Sequence, residues 1–191
     1  MNICKTLFYC KCIVFIVVLL VGFKGYSQSI ALRSNALFYI SGTTNLGVEY
    51  ALSNKSSIDL NYYHKYWGYE SIGRFRYYLI QSEIKKWECR KFVGRYWGIH
   101  TLFSEYNIGG IDAFNLKDYR YQGKAYGLGV SFGYGFIVSS RLNIDVGIGF
   151  GYTKYVYEKF NCEHCGDLIK EEVLDCIAPT KAGVSLVYLI K

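Results

Sequence analysis

The stretch Gly123-Lys-Ala-Tyr-Gly-Leu-Gly-Val-Ser-Phe-Gly-Tyr-Gly-Phe-Ile-Val-Ser-Ser-Arg-Leu-Asn-Ile-Asp-Val-Gly-Ile-Gly-Phe-Gly-Tyr-Thr153 decides the fold. Its even positions are bulky and apolar: Tyr126, Leu128, Val130, Phe132, Tyr134, Phe136 and Val138, then Leu142, Ile144, Val146, Ile148, Phe150 and Tyr152. Its odd positions are small or polar, from Gly123, Ala125, Gly127 and Gly129 to Asn143, Asp145, Gly147, Gly149, Gly151 and Thr153, with Ile137 the one bulky aliphatic. A period of two belongs to strands, whose successive side chains point to opposite faces. An eight-stranded lumen is only just wide enough for side chains to fill it, so this many aromatics cannot all face inward. Apolar side chains outward and small or polar ones inward is the arrangement of a barrel whose outer solvent is lipid.

The N-terminus reads as an export signal. Lys5 and Lys11 precede the apolar run from Ile13 to Val21, and Gly25 and Ser27 supply the small residues of a cleavage site. Residues 1–27 are therefore expected to be a cleaved signal peptide, with the cut after Ser27 or Gln28, and 28–191 the barrel. The apolar run is about half the length of a spanning helix. Cys10 and Cys12 precede that run, whereas a lipid-attachment cysteine follows it.

Composition sets further bounds. The formal net charge of +7 falls to +4 once Lys5, Lys11 and Lys24 are removed with the signal, too mild for a nucleic-acid partner. Twenty Tyr, twelve Phe, twenty Gly and one Pro suit long uninterrupted strands, because Pro cannot donate to a ladder.

Eight strands are expected, at about 30–40, 45–53, 56–66, 75–87, 95–106, 122–138, 142–157 and 180–190. Short turns at 54–56, 88–94 and 139–141 alternate with longer connections at 67–74, 107–121 and 158–179, the exception being the short connection from Ser41 to Thr44 that this scheme puts outside. Short periplasmic turns and long surface loops are the outer-membrane pattern, and an even strand number puts both termini in the periplasm. Directly paired residues share a face, so the turn after Val138 should hold three residues, pairing Gly133 with Gly147 and Gly129 with Gly151.

The same parity assigns the lumen. Arg33, Glu49, Asp59, Glu83, Lys85, His100, Asp145 and Lys181 should face inward, with Asn35, Asn61, Gln81, Tyr39 and Tyr63. Three basic and four acidic side chains shut in a small lumen should pair, since an isolated buried charge is costly. The glycines at odd positions of 123–153 should leave room for Tyr63 and Tyr39. A permanently open pore is not expected at eight strands.

The strings N-L-G-V-E at Asn45, Q-S-E at Gln81, N-I-G-G-I at Asn107, K-D-Y-R-Y-Q-G at Lys117, C-E-H-C-G at Cys162 and P-T-K-A-G-V-S at Pro179 resemble, in this order, the family known as domain of unknown function 3575. The resemblance covers essentially the whole mature chain. It implies a small outer-membrane barrel of a Gram-negative bacterium and a genetic setting beside fimbria-like surface subunits; it brings no activity. Ser82, where a Pro is common, and Cys176 depart from the family pattern.

The mature chain keeps Cys89, Cys162, Cys165 and Cys176. Cys89 falls in a periplasmic turn, and the apolar band of about 25 Å separates it from the other three. A disulfide between Cys162 and Cys165, or from one of them to Cys176, is expected in an oxidising export pathway. The competing reading adds His164 and makes a metal site, which a single C-x-x-C supports weakly.

An enzymatic role would need a base among His64, His100 and His164. Ser104 shares a face with His100 but lies about 13 Å along the strand, out of hydrogen-bond reach. No cofactor is expected. Lys124 and Lys154 interrupt the apolar outer face one diagonal apart; their stems should snorkel to the interface, with contact to lipid phosphate as the functional alternative. The leading function is structural: a monomeric barrel in outer-membrane lipid presenting loops 107–121 and 158–179 to a surface or fimbrial partner. A narrow pore and a lipid hydrolase or acyltransferase are the alternatives, and a soluble ligand-binding barrel is the alternative fold.

Overall fold

The computed structural model describes residues 29–65, 74–111, 116–161 and 167–190; the expected signal peptide, 1–27, and the Cys162-to-Cys165 motif lie outside them. Eight antiparallel strands run in chain order: β1 (Ile30–Asn35), β2 (Thr44–Ser53), β3 (Ser56–Lys65), β4 (Arg74–Trp87), β5 (Gly94–Ile111), β6 (Leu116–Ile137), β7 (Leu142–Phe160) and β8 (Leu168–Ile190). Each pairs with its neighbours, and β1 pairs with β8 from Ile30↔Ile190 to Asn35↔Ser185, closing the sheet.

The register fixes the barrel's size. Partners followed from Arg33 through β2, β3, β4 and β5 reach Gly127 on β6. Followed the other way, through β8 and β7, they reach Ile137. This stagger of ten residues tilts the strands by roughly 40° and leaves an interior that side chains can fill.

The glycine-rich hairpin adopts the expected register, with Gly133 opposite Gly147 and Gly129 opposite Gly151. Val138 N–H donates to Leu142 O at 2.9 Å, closing a three-residue turn. The outward parity is exposed as expected: Leu128 at 57%, Phe132 at 58% and Phe150 at 49%. On the inside, the glycine faces accommodate Tyr96 and His100, not Tyr63 and Tyr39. A Cβ on Gly147 would lie 2.5 Å from the Tyr96 hydroxyl, and one on Gly149 would lie 2.7 Å from Cε1 of His100.

Three expected boundaries are corrected. β1 stops at Asn35 because its side-chain oxygen accepts the Leu37 N–H at 3.2 Å, starting a one-turn helix, α1 (Ala36–Ile40). Tyr39 therefore leaves the lumen and is 53% exposed, while Phe38 packs on Tyr63 at 4.5 Å. The supposed loop 107–121 is mostly strand, with Ile108 opposite Tyr121. The supposed loop 158–179 is mostly strand too, because β8 begins at Leu168.

The reason the last strand escaped a period-two reading is a register shift at Pro179–Lys181, where Gly149 pairs with Lys181 and Phe150 with Pro179. The bulge leaves Thr180 unpaired and switches parity, so Lys181 and Cys176 both face inward although their numbers have opposite parity. The chain's only proline sits there, where a strand tolerates one.

The strands differ in length. β1 has 6 residues and β2 and β3 have 10 each, whereas β5 to β8 have 18, 22, 19 and 23. Four strands thus rise as a curved wall beyond the rim formed by α1 and β2.

Candidate functional site

The lumen is filled by the charged residues the inward parity assigns. Arg33 Nη2 lies 2.8 Å from Asp145 Oδ2, its Nε lies 3.4 Å from Asp59 Oδ2, and its Nη1 is paired with Glu49. Lys85 Nζ lies 3.1 Å from Glu49, 3.0 Å from Asp59 and 3.5 Å from Asp145. Lys181 pairs with Glu83. Arg33, Glu49, Asp59, Glu83, Lys85 and Asp145 are all buried, with Glu49, Asp59 and Lys85 at 0% exposure.

Four carboxylates against three cations leave an acidic surplus, which neutral donors take up. Ser57 and Ser131 donate to Glu49 and Glu83, Asn61 Nδ2 donates to Asp59 Oδ1 at 2.9 Å, and Tyr96 OH donates to Asp145 Oδ1 at 2.8 Å. Buried charges persist only when paired and hydrogen-bonded in this manner.

Below this cluster an aromatic floor closes the barrel: Trp87 and Tyr96 continue the inward parities of β4 and β5, and Phe92 comes from the turn between them. The turn after β4 places Phe92 in a left-handed conformation, φ 67°, and Lys91 N–H donates to Asn54 O at 2.7 Å. The backbone cost at a non-glycine residue accompanies burial of the Phe92 ring, 3% exposed, against Trp87, which packs in turn on Tyr96. Asn143 Nδ2 holds the Phe92 carbonyl at 2.8 Å, and Trp87 Nε1 donates to Ser57 Oγ at 2.8 Å. Trp87 extends the inward run Gln81, Glu83, Lys85, which is the signal that could have found it, whereas Phe92 in the turn has no periodicity to mark it.

Above the cluster, the projecting wall and the end of β4 line an open, mostly apolar chamber of about 450 Å³, bordered by Phe75, Tyr77, Tyr106, Tyr121, Tyr155 and Tyr157 among others. Tyr106 and Tyr155 meet edge to face at 6.4 Å, and Tyr121 and Tyr157 at 5.7 Å. Burial pushes the Tyr106 hydroxyl up to about 12. Toward the top of the wall, hydrogen bonds from Lys170 and from Tyr157, 2.7 Å away, hold the Glu172 carboxyl below its ordinary range.

The other assigned residues are placed as follows. His100 is buried, and its Nε2 lies 2.7 Å from Thr180 Oγ1, the residue the bulge turns inward. Its Nδ1 has no hydrogen-bond partner among the described residues, so no acid orients the ring, and Ser104 Oγ donates instead to Tyr78 O at 2.8 Å. A nucleophile, base and orienting acid are therefore not assembled around His100.

Lys124 and Lys154 occupy the outer face one diagonal apart, opposite Val156 and Tyr126. Each has a carboxylate beside it: Glu105 lies 3.8 Å from Lys124, and Asp175 is the strand partner of Lys154.

Cys176 is corrected from loop to strand. It carries a free thiol opposite Thr153, eight residues down β8 from Leu168. The expected partners, Cys162 and Cys165, lie outside the described residues. Cys89 is free and exposed in the turn below β4. Among the described residues no group of His, Cys, Asp and Glu has the makings of a metal site.

No curated protein and no solved structure matches the chain. A family model does, over residues 13–190, nearly the whole length. The chain belongs to the family described as protein of unknown function (DUF3575).

Proposed function

We propose that this chain is an outer-membrane β-barrel, delivered by a cleaved N-terminal signal, which keeps its lumen closed and presents its projecting β5–β8 wall to a partner at the cell surface. The observation that carries the reading is the inverted distribution of polarity. Large apolar side chains, among them Leu46, Leu60, Ile99, Leu128, Phe132 and Leu186, cover the outside at 49–59% exposure, while the charges are packed at the centre. A sheet with that outside is at home in lipid and not in water.

Tyr62, Tyr126 and Tyr152 stand at the upper border of the apolar band, with Lys124 and Lys154 at the same level, which supports a membrane interface there. The ionic cluster over the Trp87–Phe92 floor argues against a conducting pore, and the arrangement around His100 argues against a lipid hydrolase or acyltransferase. What the barrel leaves to act is the wall above the band, since function sits on segments that a rigid scaffold presents. Fimbria-type assembly is the setting the family resemblance implies for such a partner.

Two measurements test this. In cells, Ile177→Cys, at a position 85% exposed near the bulge, should react with a membrane-impermeant maleimide while Cys89 does not. Purified mature protein should require detergent and give no steady conductance in planar bilayers. Solubility without detergent, or labelling of Cys89 alone, would overturn the proposal.

A further inference from the structure

The wall ends on β8, and there the sheet has an open edge. The ladder between β1 and β8 stops at Asn35↔Ser185, and the Asn35 side chain reaches the Ala182 carbonyl at 3.2 Å. Above that point, among the described residues, 168–181 of β8 are laddered on the β7 side only. Such an edge carries a row of unpaired N–H and C=O groups that any extended chain can read.

Natural sheets blunt open edges with proline, bulges or charges on the strand. This strand has its proline and one bulge at the bottom, by Thr180, and its other register shift at the top, beside Phe160. From Lys170 to Ala178 it is regular, and its apolar side chains stand in the open on both faces: Val173 at 58% and Ile177 at 85% outside, Leu174 at 52% toward the chamber.

The charges name the occupant. The stretch carries Lys170 against Glu171, Glu172 and Asp175. Lys170 is already paired with Glu172 on the chamber face; on the outer face Glu171 stands opposite Glu158, and Asp175, four residues on, lies opposite Lys154 and accepts a hydrogen bond from Tyr152 at 2.6 Å, which leaves its second carboxylate oxygen to the edge. A second copy fits badly, because it brings the same acidic surplus. Two copies in one membrane also point β8 the same way, whereas this sheet is antiparallel throughout.

We propose that the edge of β8 from Lys170 to Ala178 is a strand-addition site. It takes an extended segment of a different protein, antiparallel to β8, whose main chain completes the ladder and whose basic side chains, four residues apart, face Glu171 and Asp175. Main-chain hydrogen bonds supply the affinity in this mode and alternate side chains supply the choice of partner. The inference rests on the surface-facing reading above, since the partner arrives from outside.

The test uses the full mature chain folded in detergent and a short synthetic peptide of alternating Val and Thr with two Lys four residues apart. A second peptide, N-methylated at alternate residues, keeps the charge and loses the donors. Hydrogen exchange of 168–181 should show alternate amides unprotected in the protein alone and protected by the first peptide but not by the second. Glu171→Gln with Asp175→Asn should weaken binding by about tenfold, the worth of two cross-strand charge pairs. Heat-dependent gel mobility verifies that the variant is folded.

Amides already protected without peptide, equal binding of the methylated peptide, or no binding of either would overturn the proposal. None of these outcomes depends on which compartment the barrel occupies. A failed surface labelling with a successful edge experiment would therefore sink the functional reading alone.

Discussion

Arg33 on the first strand and Asp145 on the seventh meet across the line where the barrel closes, Nη2 to Oδ2 at 2.8 Å, while the same guanidinium also holds Glu49 and Asp59. One cation thus ties together three carboxylates from three other strands. Arg33→Met would leave an acidic cluster with only Lys85 at its centre, and removing one partner of a buried ion group costs about 3–5 kcal/mol. Urea unfolding in lipid vesicles, followed by gel mobility, should show that loss. Adding Asp145→Asn should recover part of it, because one carboxylate fewer is then left unpaired.

The two glycines around Tyr96 should respond differently to the same repair. A Cβ on Gly147 meets the Tyr96 hydroxyl at 2.5 Å and the ring carbon behind it only at 3.6 Å; one on Gly133 lies 2.6 Å from Cε1 of the ring. Either alanine substitution should destabilise by roughly 1–3 kcal/mol through overpacking. Tyr96→Phe should relieve Gly147→Ala and leave Gly133→Ala strained, a difference readable as a double-mutant coupling.

Lys85 tests whether charge pairing is what keeps the lumen shut. Its ammonium lies within 4 Å of four carboxylates. Lys85→Ala should admit water and cations among them, so single-channel recording should change from silence to a cation-selective leak. The Trp87–Phe92 floor narrows that leak, and adding Phe92→Ala should enlarge it.

The bulge at Thr180 makes a prediction about a thiol. Cys176 is half-buried toward the chamber, next in sequence to an outward residue, Ile177, that is 85% exposed. Cys176 should react with a small methanethiosulfonate several-fold more slowly than Ile177→Cys and should resist a bulky polyethylene-glycol maleimide. Deleting Thr180 removes the extra residue of the bulge and lets Lys181 and Pro179 alternate directly, so Cys176 should stay inward opposite Thr153 and remain as slow to react. Equal reactivity of Cys176 and Ile177→Cys in the intact strand would refute that inward placement.

Much of this molecule was legible because one physical rule, alternation, runs through most of it. The outward set from Tyr126 to Tyr152 and the inward set from Arg33 to Lys181 both follow from a period of two, and so does the pairing of Gly133 with Gly147. The rule fails wherever something local competes with it. Asn35 caps a helix turn where a strand was expected, and Thr180 slips the parity of β8. Between Leu168 and Ile177 both faces of the strand are exposed, so no alternation marks it as strand. Part of the floor under the lumen was hidden for another reason: Phe92 is buried by a turn whose backbone conformation has no periodic signature. Residues of the Cys162-to-Cys165 motif lie outside the described part of the chain, and their pairing stays an expectation of the sequence.

The seam of six residue pairs between β1 and β8 has a kinetic consequence. It joins Ile30 to Ile190, so closure spans nearly all the described residues and incurs the largest loop entropy open to these strands. A ladder so short returns little for that cost by itself. Arg33 crosses the same line to Asp145, so the ion cluster assembles only when the cylinder shuts, and its energy falls on the final step of assembly. Folding should accordingly be sensitive to ionic strength late and insensitive early, with the first and last strands parting first when the barrel is pulled open.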